Sequence, residues 1–276
     1  MLTTLQEILR DAEEKQYAVG LFNMLNLETA RGIIEAAEAE RSPLILGVAE
    51  VHLPIIPFSY ASRIMMDIAQ RATVPVCLHF DHGTRYEAIL AALKAGFTSV
   101  MFDGSALPYQ DNIAGTKEIC RAAHALGASV EAELGHVGNA QDDSGESSQY
   151  TDPKQAEDFI CQTGVDALAV AIGTAHGQYR QKPVLDISRL AQLYQVSHKS
   201  HTPLVLHGGS GLSDTDFRNT IENGIRKVNI CTELCQAAQR AYQASSGFEA
   251  GVTAAKDSVK EIVQARMRLF GSSGHA

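Results

Sequence analysis

Three histidines lie in polar, glycine-containing motifs that are far apart in the sequence. The motifs are Asp81-His82-Gly83, Thr174-Ala175-His176-Gly177 and His207-Gly208-Gly209. Each motif follows a short apolar run, so each histidine lies at or just past the end of a predicted strand. Three neutral imidazoles that converge from three loops could hold a zinc ion and leave one coordination position open. Zinc suits imidazole donors, whereas magnesium prefers more carboxylate oxygens.

Four carboxylates accompany these histidines at predicted strand ends: Asp81, Asp103, Glu131 and Glu133. Asp81, next to His82, could hydrogen-bond a substrate hydroxyl and shuttle its proton. It could instead orient a metal-binding histidine through a hydrogen bond. The other three carboxylates could likewise orient metal ligands or form a second cation site.

The direction of the His82 side chain poses a problem. Side chains alternate between the two faces of a strand, so His79 and Asp81 share one face and His82 would point to the other. This conflict disappears if the strand ends at this point, and Gly83 would permit such a turn.

Glycines are concentrated in a further segment, Gly208-Gly209-Ser210-Gly211, which follows the seventh predicted strand. The eighth strand ends with Asn229 and is followed by Thr232. Backbone amides exposed after barrel strands seven and eight often bind phosphate. This position predicts a phosphate site, although most glycine-rich runs of this kind are only turns.

Short apolar runs that could position these motifs recur along the whole chain. The runs cover residues 17–24, 44–49, 74–80, 99–103, 129–134, 167–172, 203–206 and 227–230. They lack polar alternation, which indicates strands buried on both faces of a parallel sheet. Most segments between them have helical periodicity, such as residues 26–40 with Asn26 as a candidate N-cap.

Eight strand–helix units predict an α/β protein with one (β/α)₈ TIM barrel domain over residues 1–276. The alternative is a doubly wound open sheet, but no GxGxxG motif follows the first strand. In a barrel the C-terminal strand ends share one face, so the polar motifs would surround one pocket. The polar, Gly- and Ser-rich residues 138–148 predict a mobile loop after the fifth strand.

The composition excludes several classes of function. The chain has 23 Lys and Arg against 32 Asp and Glu, a formal charge of −9, which disfavours nucleic acid as a partner. No apolar run reaches the roughly 20 residues that a membrane span needs. Five cysteines without framework spacing indicate reduced, buried thiols in a cytoplasmic protein.

Five segments together resemble the zinc-dependent class II ketose-bisphosphate aldolases, nearest to the tagatose-bisphosphate-like and broader sugar-phosphate aldolases. The segments are LHFDHG, VEAELGHVG, AVAIGTAHGQY, LVLHGGSGL and KVNICTEL. The resemblance covers about residues 17–235 and is weaker towards the C-terminus.

The resemblance implies reversible aldol cleavage of a ketose phosphate to dihydroxyacetone phosphate and an aldehyde. It implies that His82, His176 and His207 bind the catalytic zinc and that Asp81 is the acid/base at the new hydroxyl. Asn229 would position the triose, and Glu131 falls where relatives can hold a second metal. Family members are homodimers or homotetramers. The phosphate would be held by Gly177, Gly208, Ser210 and Thr232, with the help of a nearby monovalent cation (Na⁺ or K⁺).

The sequence departs from the family pattern in two segments. Gln141 stands where the family has a glutamate that removes the substrate proton, so that base remains unassigned. Glu249 stands near the position of an arginine that reaches the second phosphate. We therefore expect an acceptor aldehyde other than the usual phosphorylated triose.

Two other functions remain open from the sequence. A zinc hydrolase on the same barrel often carries His-x-His on the first strand, which this chain lacks. A non-catalytic or weakly active partner subunit of an aldolase would generally lack the metal histidines. The three histidines disfavour that reading, but Gln141 keeps it open. No Schiff-base lysine is required, and neither Lys94 nor Lys227 is marked as activated.

Overall fold

The computed structural model describes residues 1–138, 140 and 150–276, and its parallel strands close into a barrel. The strands are β1 (Val19–Asn23), β2 (Leu44–Ala49), β3 (Val76–Gly83), β4 (Ser99–Phe102), β5 (Ser129–Leu134), β6 (Ala167–Val170), β7 (Leu204–Leu206) and β8 (Ile225–Ile230). Neighbours in sequence pair in parallel, and β8 pairs with β1. The closed barrel confirms the predicted (β/α)₈ fold and rules out the open sheet.

Helices surround the barrel and close one of its ends. They are α1 (Leu5–Lys15), α2 (Leu27–Glu40), α3 (Phe58–Arg71), α4 (Tyr86–Lys94), α5 (Tyr109–Ala125), α6 (Pro153–Thr163), α7 (Ile187–Lys199), α8 (Asp214–Glu222), α9 (Thr232–Gln243) and α10 (Phe248–Phe270). A short 3₁₀ helix, Glu50–His52, follows β2. Within the described ranges, no helix is long and apolar enough to cross a membrane.

Local sequence features account for several helix ends. The Asn26 side chain accepts a hydrogen bond from the Thr29 backbone N–H at 2.9 Å and so caps α2, as predicted. Asp152 caps α6 in the same way, and Pro153 occupies the first helical position. Gly164 ends α6 with a φ of 69°, a left-handed conformation that glycine adopts without steric cost.

The inside of the barrel is apolar at one end and polar at the other. At the N-terminal end, Leu5 and Leu9 of α1 pack against inward-facing Leu21, Ile45 and Val205. Polar side chains of four other strands are also fully buried inside the barrel: His79 of β3, Ser99 of β4, Glu131 of β5 and Lys227 of β8. The apolar layer fixes the strands, and the polar layer lies beneath the C-terminal face.

The five cysteines are free, as predicted. Cys77 and Cys120 are buried, but the expectation that all five are buried is wrong, because Cys161 is exposed on α6.

Candidate metal centre and substrate cavity

A cavity of about 870 Å³ opens at the C-terminal ends of the strands. Nine of the twelve predicted site residues line it: Asp81, His82, His176, Gly177, Gly208, Gly209, Ser210, Asn229 and Thr232. The other three are Asp103, Glu131 and His207, which contact the lining residues or one another from outside the cavity. The structure therefore brings together residues that are up to 151 positions apart in the sequence, from Asp81 to Thr232.

The three histidines converge on one point beside this cavity. One ring nitrogen of each lies within 4.8 Å of the other two. The His82 ring centroid is 4.9 Å from that of His176 and 4.6 Å from that of His207. His176 Nε2 is buried and has no hydrogen-bond partner among the described residues. A buried, unpaired imidazole nitrogen facing two other imidazoles fits a metal ligand, and an all-imidazole set suits zinc.

Hydrogen bonds fix the orientation of each ring. His82 Nδ1 lies 2.7 Å from Asp103 Oδ2, and His176 Nδ1 lies 3.2 Å from the Val137 carbonyl oxygen. His207 is fully buried between two carboxylates, with Nδ1 2.9 Å from Glu133 Oε2 and Nε2 2.9 Å from Glu131 Oε1. Contacts of this kind hold metal-binding histidines in one tautomer and one orientation.

An irregularity in β3 resolves the direction of His82. The register between β3 and β4 shifts by one residue between Phe80 and Gly83, so β3 carries a β-bulge there. His82 has a φ of +48°, a left-handed conformation that is unfavourable for a non-glycine residue. The strand does not end at residue 80 but continues to Gly83, and the turn is made by His82 rather than Gly83. The bulge lets the adjacent Asp81 and His82 both line the cavity.

The surroundings of the histidines set different pKa values. Burial and, to a smaller extent, the neighbouring His82 lower the pKa of His176 to about 4, so the ring is neutral at pH 7. Burial opposes the protonation of His207, but hydrogen bonds to Glu131 and Glu133 outweigh it and raise the pKa to about 10. A metal ion that binds His207 must therefore displace a proton and one of these two carboxylate contacts.

Asp81 is a buried carboxylate held by two amides. Asn23 Nδ2 donates to its Oδ2 at 2.8 Å, and Asn229 Nδ2 donates to its Oδ1 at 3.1 Å. Burial alone would raise the pKa of Asp81, but the charges of His82 and Lys227 outweigh burial and hold it below its usual range. Asp81 is therefore ionised at neutral pH, with one edge facing the cavity.

The structure separates the roles of the other carboxylates. A second group of potential ligand atoms within 4.8 Å of one another belongs to His82, Asp103 and Glu133. Glu131 is not in that group, since it lies deeper and pairs with Lys227 Nζ at 2.8 Å as well as with His207. A second cation would therefore find Asp103 and Glu133 together, whereas Glu131 orients His207.

The glycine-rich side of the cavity has tightly packed backbone. Gly208 has a φ of +66°, and a Cβ there would lie 2.4 Å from the Ala175 carbonyl oxygen. Ser210 Oγ accepts hydrogen bonds from the backbone N–H of Cys231 at 3.3 Å and of Glu233 at 3.2 Å, at the start of α9. Gly177, with a φ of +92°, and Thr232 complete this side. The start of α9 therefore faces the cavity through Thr232, and the N-terminus of a helix is suited to a phosphate.

Sequence reasoning missed two residues of this site. Asn23 ends β1, and its signal was a lone polar residue closing an apolar strand. Lys227 lies on β8, two residues before Asn229, and was recognised only as a lysine without activation. Both contact the Asp81–Asn229 pair directly, since Asn23 donates to Asp81 and Lys227 donates to Asn229.

The sequence also singled out Glu249 and Gln141, and the structure describes only the first of them. Glu249 is exposed in the first turn of α10 and is not among the residues that line the cavity. Asn139 and residues 141–149 lie outside the described residues. They include Gln141 and most of the predicted mobile loop at 138–148.

Comparisons with known proteins agree with this geometry. Residues 3–275 match the family described as fructose-bisphosphate aldolase class-II. The chain is 42% identical over 280 residues to the Escherichia coli K12 protein YdjI, with all of both chains covered. It is 39% identical to a fructose-bisphosphate aldolase of Geobacillus stearothermophilus, with 100% of this chain and 99% of the relative covered.

Solved structures show the same relationship. The crystal structure described as the YdjI aldolase from Escherichia coli K12 superposes with a TM-score of 0.91 at 40% identity, covering both chains completely. A structure described as a putative fructose-1,6-bisphosphate aldolase of Coccidioides immitis has a TM-score of 0.91 at 27% identity, covering 98% of this chain and 97% of the other. The matches support neither a zinc hydrolase nor a non-catalytic subunit. The chain belongs to the class II fructose-bisphosphate aldolase family and is a lyase that catalyses reversible aldol cleavage.

Proposed function

We propose that this aldolase uses zinc, held by His82, His176 and His207, to interconvert a ketose phosphate with dihydroxyacetone phosphate and an aldehyde. The observation that carries the proposal is the buried, unpaired Nε2 of His176, which faces the other two imidazoles beside Asp81. Three nitrogen donors favour zinc over the oxygen-seeking magnesium or calcium. Bound zinc would act as a Lewis acid that polarises the substrate carbonyl.

Asp81 is proposed as the acid/base at the hydroxyl carbon. In the cleavage direction, its carboxylate accepts the hydroxyl proton as that oxygen becomes the aldehyde and the carbon–carbon bond breaks. In the condensation direction, the same proton returns to the new alkoxide. Its burial, its ionised state and the two amide donors support this role, because they hold one oxygen edge towards the cavity. Asn229, next to it, would orient the hydroxyls of the triose.

The phosphate is proposed to lie on the glycine-rich side of the cavity. The backbone amides there and the start of α9 support this position, and Na⁺ or K⁺ would balance part of the phosphate charge. The residues assigned to it are Gly177, Gly208, Gly209, Ser210 and Thr232.

The acceptor aldehyde is proposed to lack a terminal phosphate. Among the residues lining the cavity in the described part of the chain, Arg85 is the only lysine or arginine, and its guanidinium pairs with Glu50. A second phosphate dianion would therefore meet no free cation on the acceptor side, and the loss of charge pairing would weaken its binding.

A screen of acceptor aldehydes with dihydroxyacetone phosphate tests this proposal. The screen compares glyceraldehyde 3-phosphate with unphosphorylated aldehydes of two to six carbons, and products are identified by mass spectrometry and NMR. The proposal predicts a higher kcat/KM for an unphosphorylated acceptor. A kcat/KM for glyceraldehyde 3-phosphate that exceeds every other acceptor by orders of magnitude would overturn it.

The remaining features of the working enzyme are also proposals. We infer one catalytic domain over residues 1–276, a homodimer or homotetramer, and a cytoplasmic location that suits five free cysteines. The net charge of −9 supports a small-molecule substrate and argues against nucleic acid as a partner.

A further inference from the structure

A buried lysine lies beneath the cavity, and none of the roles in catalysis or binding proposed above is assigned to it. Lys227 of β8 is fully buried and does not line the cavity. Its Nζ lies 2.8 Å from Glu131 Oε2, 3.1 Å from Glu131 Oε1 and 2.7 Å from Asn229 Oδ1. A buried ammonium group is stable only when paired and hydrogen-bonded, and these two residues provide both.

The contact with Asn229 determines which way its amide faces. An ammonium group can only donate hydrogen bonds, so it selects the rotamer that turns Oδ1 of Asn229 towards Lys227. The Nδ2 of the same amide then faces Asp81 and donates to Oδ1 at 3.1 Å. Residues 227 and 229 lie on the same face of β8, which allows this chain of contacts.

We propose that Lys227 is a positioning residue for the aldol reaction, which holds the Asn229 amide so that it donates to Asp81 and to the triose. This inference rests on the role proposed for Asp81. Lys227 acts through Asn229 and does not touch the substrate. Its amine is enclosed by Glu131 and Asn229, so it is not available for attack on a carbonyl group.

Glu131 connects the same lysine to the metal centre. The Glu131 carboxylate is hydrogen-bonded to both Lys227 Nζ and His207 Nε2. Lys227 and Glu131 therefore neutralise one another inside the barrel, and removal of either alone leaves an uncompensated buried charge. A test must separate this effect on stability from the effect on Asn229.

A pair of substitutions makes that separation. Lys227→Met with Glu131→Gln removes both charges together, and Glu131→Gln alone is the parent for comparison. Arg226→Met is a matched control, because Arg226 is the adjacent residue of β8, is also fully buried and pairs with Glu13, away from Asp81. Each protein is assayed for thermal stability, zinc content, and kcat and KM with dihydroxyacetone phosphate and glyceraldehyde.

We expect Lys227→Met/Glu131→Gln to bind zinc like its parent and to lose about 10- to 100-fold in kcat, the effect of one charge-assisted hydrogen bond. KM for dihydroxyacetone phosphate should change less than kcat. Arg226→Met should lose stability but keep kcat within about threefold. In an Asn229→Ala background, adding Lys227→Met to Glu131→Gln should lower kcat by less than about threefold, because the residue through which Lys227 acts is gone.

Three results would overturn the inference. The first is a kcat of Lys227→Met/Glu131→Gln within threefold of that of Glu131→Gln. The second is a loss of kcat on adding Lys227→Met that is as large in the Asn229→Ala background as with Asn229 present. The third is failure of Lys227→Met/Glu131→Gln to fold while Arg226→Met folds. The last result would make Lys227 a purely structural residue. Absence of aldol activity in the unsubstituted protein would instead refute the proposed function, so the two failures are distinguishable.

Discussion

Replacement of Asp81 by asparagine removes the proposed proton carrier while keeping the shape of the side chain. Asp81 is 1% exposed, and its two oxygens receive hydrogen bonds from Asn23 at 2.8 Å and from Asn229 at 3.1 Å. In Asp81→Asn, an NH₂ group must replace one of these oxygens. One of the two neighbouring donors then faces another donor and loses its partner.

The size of the two effects follows from this geometry. A buried donor left without a partner costs about 1–3 kcal/mol, so the free energy of unfolding should fall by that amount. Loss of a positioned acid/base lowers turnover by about 10²–10⁴-fold, equal to roughly 2.7–5.4 kcal/mol of transition-state stabilisation. Within the described part of the chain, Asp81 is hydrogen-bonded to Asn23 and Asn229 and not to His176 or His207, so zinc content should be unchanged.

The assay measures condensation of dihydroxyacetone phosphate with glyceraldehyde, together with zinc per chain by elemental analysis. We expect Asp81→Asn to retain its zinc and to lose at least 100-fold in kcat. Turnover within threefold of the unsubstituted protein would remove Asp81 from the chemistry. Loss of zinc together with activity would instead make Asp81 a support for the metal ligands.

Three further predictions concern the metal and the glycine-rich side. His176→Ala should lose zinc and activity together, by at least 10-fold in zinc affinity, and retention of both would contradict the ligand assignment. His207 carries a raised pKa of about 10 in the metal-free protein, so zinc binding between pH 6 and 8 should release a proton and tighten with rising pH. Calorimetry in buffers of different ionisation enthalpy measures this release, and a pH-independent affinity would contradict it. Gly208→Ala should raise KM for dihydroxyacetone phosphate and lower the free energy of unfolding by more than the 1–3 kcal/mol of left-handed backbone strain, because its Cβ would lie 2.4 Å from the Ala175 carbonyl oxygen. Gly127→Ala is the matched control, with a φ of +73° and open space around the new Cβ, and equal effects of the two substitutions would refute the steric explanation.

The sequence was sufficient to predict the barrel because its strands are buried on both faces and its helices carry helical periodicity. The bounds of β2 and β5 were predicted without error, whereas β3 was ended three residues too early. That error has a physical cause. The bulge after Phe80 depends on the pairing of β3 with β4, which no local pattern in the sequence reveals.

Some features of the candidate site could likewise be predicted from the sequence, and others could not. The histidines His82, His176 and His207 could be selected because each follows a strand, and strand ends meet in a barrel. The pairing of Lys227 with Glu131 could not be predicted from the sequence, since the two residues are 96 positions apart and their contact depends on the inward faces of β5 and β8. The importance assigned to Glu249 came from an approximate alignment near the weaker C-terminal part of the resemblance, and the residue does not line the cavity.

The most direct test of zinc-dependent aldol chemistry compares one preparation of the protein in three states: as purified with zinc, after removal of metal by a chelator, and after zinc is restored. In each state, metal per chain and the rate of condensation of dihydroxyacetone phosphate with an aldehyde are measured together. We expect about one zinc per chain in the active states, loss of the rate with the metal, and recovery of both on adding zinc. Full activity in the metal-free protein would contradict it.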